Sequence, residues 1–282
     1  MIDKSVVQKH FDRHAKEYDQ YARVQDYMAD QLMVFLQQDI AQSRLAEESI
    51  HIFEIGCGTG FLTHRLLKQY PHAQLTVMDI SDVMLDTLKT KLHAYAHRLH
   101  CVHADAEKYE FDSAVKFDMI LSNATFQWFN DPQSTVSQYV KHLNFQGILA
   151  FATFAPLTFQ ELYTCLSMAH EHLQLSPYRY GLTYPSKEDW THLFQNQISG
   201  DFTWKQEVWI EHFAELRQFL YAIQRIGATQ ANIEEAGSVQ TRRLTKQILT
   251  HAELLYEARY RDKEGIQVTY DIGFGIYQKQ DI

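Results

Sequence analysis

The chain has 282 residues, a formal net charge of −9 and a pI near 5.9, a balance that argues against a nucleic-acid partner, which requires a basic face. Its hydrophobic content of 45% and charged content of 22% are ordinary for a globular protein, and this length can bury a full core. No apolar run is long enough to span a membrane, no signal-peptide pattern is present, and three cysteines at unrelated spacings favour a reducing compartment. We therefore expect one cytoplasmic domain over residues 1–282 that binds neither nucleic acid nor membrane.

Residues 1–40 carry the pattern of an N-terminal helical flap. Apolar and aromatic side chains recur there at intervals of about three and four residues: Val7, Phe11, Tyr18, Tyr21, Val24 and Met28. Such a stripe indicates an amphipathic helix that packs on a sheet. The pattern Phe11-Asp12-x-x-Ala15-x-x-Tyr18-Asp19-x-Tyr21 also resembles the N-terminal flap of small-molecule and carrier-protein methyltransferases, which implies that its tyrosines close over a ligand. Both can hold together, because a tyrosine ring can be buried while its hydroxyl faces the ligand.

Residues 50–155 alternate strands and helices, which is typical of a parallel α/β sheet. Strands are predicted through 53–55 and over 75–79, 99–104, 117–122 and 147–154, and helices over 61–69, 81–97 and 134–143. The rhythm changes beyond this segment. Helices are predicted over 157–175, 187–196, 213–227 and 239–261, with closing strands in 201–212 and 266–279. We expect seven strands in all, and we interpret the insertions 156–200 and 213–262 as a helical lid over the strand ends.

A glycine-rich turn follows the first strand, in the pattern Glu54-x-Gly56-x-Gly58-x-Gly60. Glycine lets the backbone turn sharply and approach a ligand closely. The dinucleotide pattern G-x-G-x-x-G would require a third glycine at the position of Phe61, so a nicotinamide-binding fold is disfavoured. The pattern resembles the first motif of class I S-adenosylmethionine-dependent methyltransferases, which have a Rossmann-like fold.

Polar residues stand at or just after the carboxyl ends of the first four strands: Glu54, Asp79, Asp105 and Asn123. Ligands of open α/β sheets bind at that edge, and a carboxylate about twenty residues after the glycine turn typically binds ribose hydroxyls. The alternative for each residue is a helix cap or a turn former. Histidines cluster at 93, 97, 100 and 103, but no cysteine or acid completes a ligand set, so we expect no metal.

Three further motifs carry a closer resemblance. They are Lys4-Ser5 followed by Phe11, Ala15 and Tyr18-Asp19; Ala104-Asp105-Ala106-Glu107; and Ser122-Asn123-Ala124-Thr125-Phe126-Gln127-Trp128. Over residues 4–155 the chain resembles the malonyl-acyl-carrier-protein O-methyltransferases of biotin biosynthesis. The Asn-x-x-x-Gln-Trp pattern is also similar to that of trans-aconitate methyltransferases, which likewise methylate a carboxylate.

The resemblance implies that S-adenosyl-L-methionine is the cofactor and S-adenosyl-L-homocysteine the product. The implied cofactor contacts are Tyr18, Tyr21, Glu54, Gly56, Cys57, Gly58, Gly60, Asp79, Ile80, Met84, Asp105, Ala106 and Asn123. The implied acceptor contacts are Tyr18, Gln127 and Trp128, with Phe154 as either a second wall or a core residue. A carboxylate is already nucleophilic, so positioning and exclusion of water suffice and no general base is expected.

The implied acceptor is the free carboxylate of malonyl-phosphopantetheine on an acyl carrier protein. Arg179 is the expected partner of that carboxylate, because a guanidinium matches its geometry, unless it is a solvent-exposed loop arginine. Carrier proteins are acidic, so docking is expected at basic residues: Arg217, Arg225, Arg242, Arg243 and Lys246. These residues could instead be a solvated helix face. The alternative functions are a methyltransferase for a free small acid and a non-catalytic cofactor-binding module.

Overall fold

Seven strands form one sheet in the order β3-β2-β1-β4-β5-β7-β6. The computed structural model describes residues 1–39, 49–178, 180–197, 199–227 and 245–280. The strands are β1 His51–Ile55, β2 Gln74–Asp79, β3 Leu99–His103, β4 Phe117–Asn123, β5 Leu143–Phe154, β6 Gly200–Phe213 and β7 Ile266–Lys279. β1 to β5 pair in parallel, whereas β7 is antiparallel to both β5 and β6. The mostly parallel α/β sheet predicted from the sequence is confirmed.

Ten α-helices connect these strands in the part of the chain that the structure describes. They are α1 Lys4–His14, α2 Tyr18–Tyr21, α3 Arg23–Asp39, α4 Phe61–Gln69, α5 Asp82–Lys91, α6 Pro132–Lys141, α7 Gln160–His172, α8 Lys187–Gln195, α9 Leu216–Arg225 and α10 Lys246–Tyr260. Among the described helices, none is long and apolar enough to cross a membrane.

Apolar side chains cover both faces of the sheet, as expected for a parallel sheet enclosed by helices. On one face the core includes Leu32 of α3, Leu66 of α4 and Phe219 of α9. On the other face it includes Tyr139 of α6 and Trp190 of α8. Helices on both faces are therefore confirmed.

Three predicted helices are shorter than expected: the one predicted over 213–227 spans Leu216–Arg225, and the other two are shortened for the following local reasons. The helix expected over 81–97 ends at Lys91 and is followed by a 3₁₀ helix, His93–Arg98, which leads into β3. The helix expected from 157 begins at Gln160, because the backbone N–H of Leu157 donates to Asp271 of β7 at 3.0 Å. Phe159 then adopts a left-handed conformation, with φ of 61°, immediately before α7.

The helices after β5 occupy different places around the sheet. α7 and α10 pack against each other and against β7, and α8 packs against β6 and β7. α9 contacts α2 of the N-terminal segment. Gly227, just after α9, lies beside Phe11, since a Cβ added there would come within 3.1 Å of the Phe11 ring. The C-terminal half of the molecule thus reaches the flap at α9.

Candidate active site

A cleft of about 670 Å³ lies at the carboxyl ends of the parallel strands, between the sheet and α1. Ten residues predicted as site residues line it: Tyr18, Gly56, Gly58, Asp79, Ile80, Met84, Asp105, Ala106, Asn123 and Trp128. Eight others line it as well: Lys4, Val7, Phe11, Met78, Ala104, Ala124, Thr125 and Phe129. The parallel topology brings these strand ends together, as predicted.

Asp79 ends β2 and is buried at the base of the cleft. One carboxylate oxygen accepts from the backbone N–H of Gly58 at 2.8 Å, and the other accepts from that of Ser81 at 2.8 Å. Burial raises the pKa of Asp79 to about 6, against the lowering effect of those two hydrogen bonds. Asp79 therefore connects the glycine loop to the start of α5 and keeps acceptor capacity toward the cleft.

The glycine loop owes its shape to left-handed backbone conformations. Gly56, Gly58 and Gly60 have φ of 69°, 51° and 95°. A Cβ at position 56 would come within 2.1 Å of Thr125 Oγ1, whereas a Cβ at position 58 would meet nothing within 4 Å. Gly56 therefore allows close packing of the loop on the β4 end, and Gly58 leaves space at the cleft.

Three residues predicted as cofactor contacts in and around the loop do not line the cleft. Glu54 is buried and accepts from Thr63 Oγ1 at 2.6 Å, and burial raises its pKa to about 8. Cys57 is buried in the core. Gly60 precedes α4 and packs against Leu88 and Leu92. Their predicted cofactor contacts stay predictions.

The turn after β4 explains part of the Asn-x-x-x-Gln-Trp pattern. Ala124 is left-handed, with φ of 53°, and its carbonyl accepts from Gln127 Nε2 at 2.6 Å. Gln127 Oε1 accepts from Thr153 Oγ1 at 3.2 Å, so both ends of this amide bond within the protein. Gln127 supports the turn that carries Asn123 and does not line the cleft.

Asn123 has a buried acceptor without a partner. Its Nδ2 donates to the carbonyl of Gln25 at 2.9 Å, which assigns the amide orientation because a carbonyl can only accept. Asn123 Oδ1 has no hydrogen-bond partner among the described residues, and Asn123 lines the cleft. A buried acceptor without a partner costs on the order of 1–3 kcal/mol, so this oxygen is suited to a ligand that carries N–H donors or positive charge.

Part of the N-terminal flap, residues 4–21, forms one wall of the cleft. Tyr18 lines the cleft, and burial together with the charges of Asp79 and Asp19 raises its pKa above the usual range. Tyr21 does not line it and instead packs edge-on against Tyr221 of α9, with ring centroids 5.9 Å apart. Phe11 packs edge-on against Trp128 at 6.0 Å, which completes an aromatic wall.

Lys4 is the cleft residue that sequence reasoning missed most clearly. Its ammonium pairs with Glu107 at 2.8 Å and with Asp105 at 3.6 Å. Lys4, Val7 and Phe11 follow a helical spacing of three and four residues, so one face of α1 reaches the cleft. That spacing was the signal that could have identified Lys4.

Of the predicted acceptor contacts, Tyr18 and Trp128 line the cleft, whereas Gln127 and Phe154 do not. Phe154 is buried against Tyr184 and Tyr270, with ring centroids at 5.8 and 6.1 Å, and does not line it. Arg179, Arg242 and Arg243 lie outside the described residues.

The other predicted docking residues lie on α9 and at the start of α10. Arg217 pairs with Glu253 at 3.3 Å, Arg225 pairs with Glu17 at 3.0 Å, and Lys246 is exposed at the start of α10. Among the described residues no group of three or more histidine, cysteine or acidic side chains is placed to hold a metal ion.

Comparison with known proteins bears on this fold and site. Residues 52–147 match the family model described as a methyltransferase domain. The structure of YcgJ from Bacillus subtilis aligns with a TM-score of 0.59 at 14% identity, covering 89% of this chain and 98% of that chain. The BH2331 protein from Bacillus halodurans aligns with a TM-score of 0.57 at 14% identity, covering 90% and 99%. Fold and matched domain together define a methyltransferase with a Rossmann-like α/β fold.

Similarity at the sequence level extends over nearly the whole chain. It is 35% identical over 271 residues to malonyl-[acyl-carrier protein] O-methyltransferase from Bacillus anthracis, covering 96% of this chain and 95% of that one. It is 35% identical over 272 residues to the protein of the same name from Halalkalibacterium halodurans, covering 96% of each. The chain belongs to the malonyl-[acyl-carrier protein] O-methyltransferase family and is an O-methyltransferase.

Proposed function

We propose that the protein transfers the methyl group of S-adenosyl-L-methionine to the free carboxylate of a malonyl group carried by acyl carrier protein. The methyl ester so formed would prime pimelate synthesis for biotin. The observation that carries this proposal is the extent of the similarity, which covers 96% of the chain. It therefore includes the helices after β5, where we expect acceptor specificity to be decided.

The side chains of the cleft fit this cofactor. When bound, S-adenosylmethionine supplies a methyl group on a positively charged sulfur. Asp79 can accept hydrogen bonds from ribose hydroxyls, because its carboxylate has acceptor capacity beyond the two backbone N–H groups. Asn123 Oδ1, which has no partner, can accept from the ammonium of the amino-acid tail. Asp105 and Ala106 lie at the end of β3, where an adenine edge would be recognised.

The acceptor side of the cleft is suited to excluding water and holding a carboxylate in place. Phe11, Tyr18 and Trp128 form an apolar wall there. Tyr18 is protonated at neutral pH, as any tyrosine with an ordinary pKa is, and its pKa is raised further by burial, so it can donate a hydrogen bond but does not act as a base. A malonyl carboxylate requires no base, since it is ionised at neutral pH. We assign Gln127 a positioning role through the Ala124 turn.

Mass spectrometry of malonyl-acyl carrier protein after incubation with S-adenosylmethionine tests the proposal. We expect a gain of one methyl group, lost in Asp79→Ala and retained in Asp86→Ala, which removes an exposed acid of α5. Free malonate and trans-aconitate serve as comparison acceptors. Methylation of a free acid without methylation of the carrier-linked malonyl group would contradict the proposal.

A further inference from the structure

Residues 1–21 of the flap contain four acidic side chains, and each of them is hydrogen-bonded or ion-paired. Asp3 accepts from the backbone N–H groups of Ser5 and Val6 and caps α1. Asp12 accepts from Ser81 Oγ at 2.5 Å, and Asp19 accepts from Thr59 Oγ1 at 2.5 Å and from Lys91 at 2.6 Å. The fourth, Glu17, pairs with Arg225 at 3.0 Å. These contacts fasten the flap to the strand-end loops and to α9.

The basic side chains of the same segment lie on two sides of α1, one facing the cleft and the other facing solvent. Lys4 points inward, lines the cleft and pairs with Asp105 and Glu107. Lys9, Arg13 and Lys16 are exposed and pair with no acid among the described residues. Their spacing of four and three residues places them along one side of α1 and its C-terminal turn. We call these three residues the outer basic stripe.

The stripe makes a local positive field on an acidic protein. The chain has a formal net charge of −9, so an acidic partner is repelled by most of its surface and attracted where cations are left unneutralised. The field is felt at neighbouring side chains. Burial lowers the pKa of His10 and of His14; the charge of His14 and then that of Arg13 lower the pKa of His10 further, and the charge of Arg225 and then that of Arg13 lower the pKa of His14.

We propose that the outer basic stripe is the docking surface for the acidic carrier protein that presents the malonyl group. This inference rests on the proposed function. Two observations support the position. Val7 and Phe11, on the opposite side of the same helix, line the cleft, so a carrier docked on α1 stands beside the cleft mouth. Asp12, Glu17 and Asp19 form their hydrogen bonds and ion pairs with groups outside the stripe, so Asp3, whose pKa is lowered by hydrogen bonds from Ser5 and further by the charge of Lys9, is the acid of this segment that acts on the stripe.

The stripe differs from the docking surface predicted from the sequence. There the basic residues Arg217 and Arg225 are neutralised by Glu253 and Glu17. Arg242 and Arg243 lie outside the described residues. Arginines in ion pairs attract an acidic partner less than unpaired cations do. The opposite charge of the neighbouring carboxylate cancels most of the arginine's field at the distance from which a partner approaches.

Charge reversal of the stripe tests the inference. We expect Lys9→Glu/Arg13→Glu to lower kcat/KM for malonyl-acyl carrier protein by tenfold or more. The same variant should leave kcat/KM for malonyl-N-acetylcysteamine, a small thioester without a carrier, within twofold of the unmodified protein. The salt dependence of the carrier reaction should also weaken, because electrostatic attraction is screened by salt.

Lys68→Glu/Lys141→Glu is the matched control. It makes the same change in net charge, in the last turns of α4 and α6. These helices lead into β2 and β5, so their ends lie at the amino ends of the strands, whereas the cleft lies at the carboxyl ends. We expect it to leave both reactions nearly unchanged. An equal loss in the stripe variant and in this control would show a general charge effect and overturn the inference.

Other outcomes separate the inference from the proposed function. Failure of the unmodified protein to methylate malonyl-acyl carrier protein would overturn the proposed function. Normal carrier methylation by the stripe variant would overturn the docking surface alone. Equal loss on carrier-linked and small acceptors would also overturn it, since the stripe would then act on the cleft. A different result would assign the stripe to a membrane surface instead. The unmodified protein would bind vesicles of anionic phospholipid, and the stripe variant would lose this binding but keep its kcat/KM for malonyl-acyl carrier protein.

Discussion

The half of the molecule that holds the strand-end loops and the half that holds the later helices use their polar residues differently. In residues 50–155, Asp79 and Asn123 keep acceptor capacity toward the cleft. In the described part of residues 156–280, by contrast, Asp271 and Arg217 bond to other side chains or backbone groups of the protein. Asp271 is buried and accepts from Leu157 and Gln206, and Arg217 pairs with Glu253.

The two regions differ because sheet topology positions the side chains of the first, whereas long-range packing positions those of the second. The carboxyl ends of parallel strands share one edge, so a polar residue at a strand end reaches the cleft by topology alone. The later helices are placed by long-range packing. α7 and α10 are held against each other and β7, and α9 meets the flap through residues more than 200 positions away in sequence, as in the contact between Arg225 and His14.

The largest effect that we expect concerns Glu54, whose buried carboxyl has one side-chain donor, Thr63. Its pKa is about 8 in the folded protein and near 4.5 as a free side chain, so the native state holds the proton more tightly. The free energy of unfolding should therefore fall as pH rises from about 4.5 to 8, by on the order of 1.4 kcal/mol per pH unit. Glu54→Gln should lose this contribution to the slope, although its amide N–H groups add a roughly constant cost.

Chemical denaturation followed by tryptophan fluorescence between pH 5 and pH 9 measures this effect. The curves of the unmodified protein and of Glu54→Gln should converge as pH rises, because only the carboxyl becomes charged. Curves that stay parallel over this range would show that Glu54 is not held neutral by burial. Asp79 is present in both proteins, and because its charge also raises the pKa of Glu54, the difference between the two curves reports Glu54 together with its interaction with Asp79.

The sequence predicted most of the strand-end half, because its rules are local. Helix α4 begins at Phe61 and ends at Gln69 as expected, since the glycine turn precedes it and Pro71 follows it. Asp79, Asp105 and Asn123 line the cleft as their positions at strand ends indicated. No local pattern told which side of a strand or turn would face inward. Glu54 and Gln127, both predicted to contact ligands, are hydrogen-bonded within the protein, and their ligand contacts stay predictions.

The rest of the site depends on how the flap docks, which no single segment specifies. Lys4 and Thr125 line the cleft because α1 and the turn after β4 meet across it. Phe154 ends a strand, yet its ring packs against Tyr184 and Tyr270, which come from segments 30 and more residues later. Such contacts are set by tertiary packing, and periodicity carries little information about them.

A smaller effect should appear in the affinity for S-adenosylmethionine as pH falls. Asp79 has a pKa of about 6 in the folded protein, and its ionised form is the better acceptor for hydroxyl groups. The dissociation constant should therefore rise as pH falls below about 6, approaching tenfold per pH unit, and be nearly constant above pH 7. Titration calorimetry between pH 5 and pH 8 measures this directly.

Asp79→Asn is the matched variant for that measurement, because the amide has a similar shape and does not titrate in this range. We expect it to bind more weakly at pH 7 and to show little change between pH 5 and pH 8. The same pH dependence in both proteins would assign the titration to another group and would contradict the role of Asp79 as a cofactor acceptor.

The smallest effect that we expect arises where α9 meets the N-terminal flap, at Arg225. Its guanidinium bonds to Glu17 at 3.0 Å and to His14 Nδ1 at 3.2 Å, and it also bonds to the Tyr221 hydroxyl. A partly exposed ion pair of this kind contributes roughly 0.5–1 kcal/mol. Arg225→Ala should therefore loosen the flap and raise KM two- to fivefold, alike for carrier-linked malonyl and for a small malonyl thioester.

Arg217→Ala, which breaks an exposed pair with Glu253, is the control and should leave both KM values unchanged. A rise confined to the carrier-linked acceptor would instead make Arg225 a docking residue, as predicted from the sequence, and would move the carrier from the outer side of α1 toward α9.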